Sequence, residues 1–147
     1  ILALLTVIDL ELLMKWKMQV VIPGRVVYVT YAEDASANDV AEALAAVIKE
    51  IEKREDASKT FYCISESADG RNSRLSELQS AFRQFRAIPG HTCTILVTKD
   101  KIASFLADVV FSMRALRLIR VDTVEEAIAF IEAETDDLKI DSLSSLI

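Results

Sequence analysis

Apolar and polar positions change period several times along this chain, and each change marks an element. Lys17 to Ile22 and Arg25 to Tyr31 are β-rich runs separated by Pro23-Gly24, a turn signal, so they predict a hairpin. The second run contains Val26-Val27-Tyr28-Val29-Thr30-Tyr31, β-branched and aromatic throughout. The period then becomes helical. Val40, Leu44, Val47, Ile48 and Ile51 make one apolar stripe, while Lys49, Glu50, Glu52, Lys53 and Arg54 take the wet side. Ser36 or Asn38 can cap this helix, and Asp39 suits the positive end of its dipole.

Thr60 to Ser65 reads as a third strand, and a polar loop, Glu66 to Asn72, follows it. Ser73 opens a second helix with the stripe Leu75, Leu78, Phe82 and Phe85, ended by Ile88-Pro89-Gly90. Thr92 to Thr98 is a fourth strand. A third helix runs from about Asp100 to Met113, burying Ile102, Phe105, Leu106, Val109, Val110 and Met113. Leu118 to Val121 is a short fifth strand. Thr123 with Glu126 three residues on is a capping box, and Val124, Ala127, Ile128 and Ile131 form the stripe of the last helix.

The order β-β-α-β-α-β-α-β-α predicts an α/β domain with a mostly parallel five-stranded sheet and one antiparallel strand from the hairpin. Right-handed crossovers between neighbouring strands put the helices on one face of the sheet. Yet the strands are apolar on both sides, as Val26, Val27, Tyr28 and Val29 illustrate, so the other face needs a cover. The apolar segment 1–16 is the candidate, either covering that face or pairing with a second copy in a homodimer. The division is then an N-terminal segment at 1–16, the α/β domain at 17–135 and a tail at 136–147.

A chain of 147 residues fits one domain, and its 52% hydrophobic content suits a well-buried core. Three Gly and two Pro imply short connections. The net charge of −6 and a pI of about 4.8 argue against nucleic acid or an anionic membrane surface as a partner, since both call for a basic face. The opening run Ile1 to Ile8, interrupted by Asp9 and Glu11, falls short of the ~20 residues of a bilayer crossing. It also lacks the basic start and cleavage site of a signal peptide. A cytoplasmic location without a transmembrane segment is expected.

Chemistry-bearing residues are sparse. Cys63 and Cys93 lie in apolar runs with no CxxC pair or ligand cluster, which suits buried thiols and no metal. His91 is the only histidine and stands in a turn beside Gly90, so no Ser-His-Asp set can form. Neither a G-x-G-x-x-G nor a Walker motif is present, and no cofactor is implied. Asp34, Asp39 and Asp100 could do acid–base work, but carboxylates at helix starts are more simply caps. No catalytic residue is assigned.

The opening hairpin VVIPGRVVYVTY and the closing LRLIRVDTVEEAIAFI, in this element order, resemble the STAS domain, the fold of bacterial anti-sigma-factor antagonists. Similarity is greatest to the divergent SpoIIAA-like proteins and covers about Met18 to Glu134. The resemblance implies a β-α superhelix with consecutive strands adjacent and a role in protein–protein regulation. It also implies a loop serine, after the third strand, that a kinase-like anti-sigma factor phosphorylates. In the family that loop reads D-S-S-G. Here it runs from Ser65 to Ser73 without that motif; Ser73 stands nearest the matching position and Ser67 is the other candidate.

A phosphate there would meet a helix N-terminus, with Arg71 and Arg74 in reach as counter-charges. Arg71, Arg74, Arg83 and Arg86 form a candidate surface for an acidic partner or anion, and Arg114, Arg117 and Arg120 surround the last strand. Solvated ion pairing is the plainer reading of both groups. An alternative function is binding of a small apolar ligand or lipid, as in CRAL-TRIO-like relatives of the fold. The apolar helix faces (Phe82, Phe85, Phe105, Phe111 and Met113) suit that reading and a plain core equally well.

Overall fold

The computed structural model describes residues 15–66, 90–101 and 117–140. Its first element, β1 (Trp16–Ile22), turns back through Pro23-Gly24 into β2 (Val26–Tyr31). Arg25 N–H donates to the Ile22 carbonyl at 3.0 Å, and Gly24 has φ +73°. Proline followed by a positive-φ glycine at the two central positions defines a type II turn. The strands pair antiparallel, with a bulge between Val20 and Ile22. The extra residue resets the alternation, so Val21 and Ile22 both pack against the same core cluster.

Ser36 caps helix α1 (Ala37–Glu52) in a full capping box. Its hydroxyl accepts from Asp39 N–H, and the Asp39 carboxylate accepts from Ser36 N–H. Ser36→Ala is expected to lower stability by about 1 kcal/mol. The check is the urea midpoint, and an unchanged midpoint would show that the cap contributes nothing. The buried face of α1 is Ala41, Ala43, Val47 and Ile51. Of the stripe expected from hydropathy, Val47 and Ile51 are buried, whereas Val40, Leu44 and Ile48 are only half-buried. Small alanines let the helix axis approach the sheet, so Ala43 and not Leu44 faces it.

Strands β3 (Phe61–Glu66), β4 (Thr92–Val97) and β5 (Leu118–Val121) follow, then helix α2 (Val124–Glu134). The sheet order is β1-β2-β3-β4-β5, with β2, β3, β4 and β5 successively parallel. The chain is thus an α/β protein with a five-stranded, mostly parallel sheet whose consecutive strands are neighbours, as expected. The helices predicted after Ser73 and through Met113 fall largely outside the described residues. Among the described residues, no helix is long and apolar enough to cross a membrane.

Alternation along the strands creates two cores. Val27, Val29 and Phe61 point to one face and pack with Ala43, Val47 and Ile51 of α1. Val26, Tyr62, Ile64, Cys93, Ile95 and Val97 point to the other face and pack with Val124, Ala127 and Ile131 of α2. The helices therefore do not all share one face. Crossover handedness constrains only a helix that joins two parallel strands, and α2 follows the last strand of the sheet. α2 covers part of the second face. Residues 1–14 lie outside the described set.

Thr123 caps α2 by accepting from Glu126 N–H at 3.2 Å. The returning Glu126 carboxylate takes the Asp122 N–H at 2.9 Å, one residue earlier than a standard box. The core also continues past residue 135, where the sequence pattern places the end of the domain. Leu138 and Ile140 are only 6% and 2% exposed and join the α2-side cluster.

Candidate functional site

The two ends of the parallel strands carry different chemistry. At the carboxyl end, β3, which lies in the middle of the sheet, finishes with Glu66, the residue before Ser67. Tyr28 of β2 donates its hydroxyl hydrogen bond to Glu66 Oε2. Burial first, then the Glu66 hydrogen bond and the Glu66 and Glu125 charges, raise the Tyr28 pKa. The phenol stays neutral and serves as a fixed donor. On the opposite face Tyr31 is pushed up chiefly by burial, partly offset by a hydrogen bond with Ser65. Both tyrosines brace the carboxyl ends of β2 and β3. Carboxyl ends of parallel strands are where α/β sheets commonly place their functional loops.

The amino end is an ion-pair edge. Arg25, just before β2, donates to Asp137 Oδ2 at 2.6 Å and from Nε to the Thr60 carbonyl at 3.2 Å. Lys59 reaches the same carboxylate at 3.1 Å. Arg54 donates to the carbonyls of Lys59, His91 and Gly90, at 3.4, 3.2 and 2.7 Å. It thereby holds the turn in which His91 takes φ +58°. Tyr62 donates to Glu134 at 3.1 Å, which also pairs with Arg117 at 2.5 Å. The Tyr62 pKa is pushed up to about 12, by burial first and then by Glu134.

Asp137 sits between the Arg25 and Lys59 cations, whose hydrogen bonds hold its pKa down at about 2. A folded-state value below the unfolded one of about 3.9 gives stability that is fully present above the unfolded pKa. That stability is lost as pH falls through the folded value. Asp137→Asn is expected to flatten the urea midpoint between about pH 4 and pH 2, and to remove part of its salt dependence. A wild-type-like curve in the variant would show that these pairs do not contribute.

The residues expected to form a switch or anion surface, Ser67, Ser73, Arg71, Arg74, Arg83 and Arg86, lie outside the described residues, as does Arg114. Arg117 does not point to an anion site: it pairs with Glu134 and lies 5.7 Å from the Phe130 ring centroid. Asp34 pairs with Lys15 at 2.7 Å, and Asp39 completes the Ser36 cap. Asp100 N–H donates to Thr98 Oγ1 at 3.1 Å. Asp34 and Asp39 thus each have a local structural partner. Among the described residues no group of His, Cys, Asp and Glu could hold a metal ion.

Cys63 and Cys93 are free thiols on adjacent strands but opposite faces, since Cys93 is level with Tyr62 and Thr94 with Cys63. The Tyr28–Glu66 and Arg25–Asp137 contacts are absent from the motif reading. Each joins residues of ordinary type whose proximity depends on register. Comparison with protein-family models, curated proteins and solved structures gives no match.

Proposed function

We propose that this domain is a non-enzymatic regulatory module that binds protein partners, built on a STAS-like, SpoIIAA-like β-α superhelix. The observation that carries the reading is the strand order. Every parallel strand neighbours the next in sequence, which is what the resemblance implies. In that arrangement β3 lies between β2 and β4 and ends at Glu66, one residue before Ser67. A phosphorylated Ser73, or Ser67, adds nearly two negative charges there, with Arg71 and Arg74 close in sequence to answer them. The partner of this reading is a kinase-like anti-sigma factor in a bacterial cytoplasm.

The braced tyrosines support a recognition role. Tyr28 and Tyr31 have partners at Glu66 and Ser65, so the carboxyl ends of β2 and β3 are fixed, and preorganised groups lose less entropy on binding. Native mass spectrometry of the protein isolated from its own cells tests the proposal. A phosphate mass localised by fragmentation to Ser73 or Ser67 is the expected result. Unmodified serines together with a non-covalent small-molecule mass that leaves on denaturation would replace the proposal with the apolar-ligand reading.

A further inference from the structure

We draw no further inference here: the strongest candidate, the half-buried polar side-chain cluster of Tyr31, Cys63, Ser65 and Thr94 on the α1 side of β2, β3 and β4, carries nothing because nothing in the structure shows what covers it.

Discussion

Ile95→Ala is expected to destabilise the domain by about 2–5 kcal/mol, the largest effect of any single substitution considered. Ile95 is 0% exposed and lies in β4, hydrogen-bonded to β3 on one side and β5 on the other. Its side chain faces the α2-side cluster, among Tyr62, Ile64, Cys93 and Ile131. Sheet neighbours on both sides prevent the strand from moving to close the void. The loss therefore combines the transfer energy of the removed methyl groups with the cost of the remaining cavity. Against a total of about 5–15 kcal/mol, such a loss is a large part of the stability. Thermal unfolding should shift down by roughly 5–20 °C. Ile48→Ala in α1 is the control: Ile48 is half-buried, and a smaller loss of about 1 kcal/mol is expected, in proportion to the area it buries. Equal losses at the two positions would mean that hydropathy, and not the observed phase of α1, describes the core.

The second large effect is on thiol reactivity. Burial pushes the Cys63 pKa up to about 12 and that of Cys93 up to about 11. The thiolate is the reacting species, and a free cysteine has a pKa near about 8.5. At pH 8 the native thiolate populations are therefore lower than in the unfolded chain by about three orders of magnitude for Cys63 and about two for Cys93. Alkylation by iodoacetamide should be slowed by at least those factors and should recover across the urea unfolding transition. Modification of either thiol at the free rate, with the fold intact, would contradict the placement of these side chains. Oxidation should yield no intramolecular disulfide, because the two sulfur atoms lie on opposite faces of the sheet.

Much of the architecture is legible along the chain because it depends on local chemistry. Pro23-Gly24 between two β-branched runs specifies a tight turn, and the hairpin follows. Ser36 with Asp39, and Thr123 with Glu126, mark helix starts because each cap closes within four residues. The alternation of short apolar runs with helical periods predicts a mostly parallel sheet, and the neighbouring order of its strands agrees with it.

Other features depend on distance in sequence or on shape. Ala43 is fully buried where Leu44 is not, because sheet packing selects residues that let the helix approach closely, and hydropathy ranks them the other way. The side of the sheet taken by α2 could not follow from a crossover rule, since α2 joins no second strand. Leu138 and Ile140 stand in an acidic stretch with too few apolar residues to show a period, yet both belong to the core. Asp137 meets Arg25 across 112 positions of chain, and Tyr28 meets Glu66 only because β2 and β3 pair in one particular register.

By itself, then, the sequence determined the types and order of the described elements, their caps, the hairpin and the general class of fold. Each of these is settled by interactions within a few residues or by a short repeating period. Only the tertiary structure decided which face each helix covers, which strand residues face each other, and that the segment after α2 is part of the core. Those outcomes arise from close packing and from strand register, which bring together residues that no local pattern links.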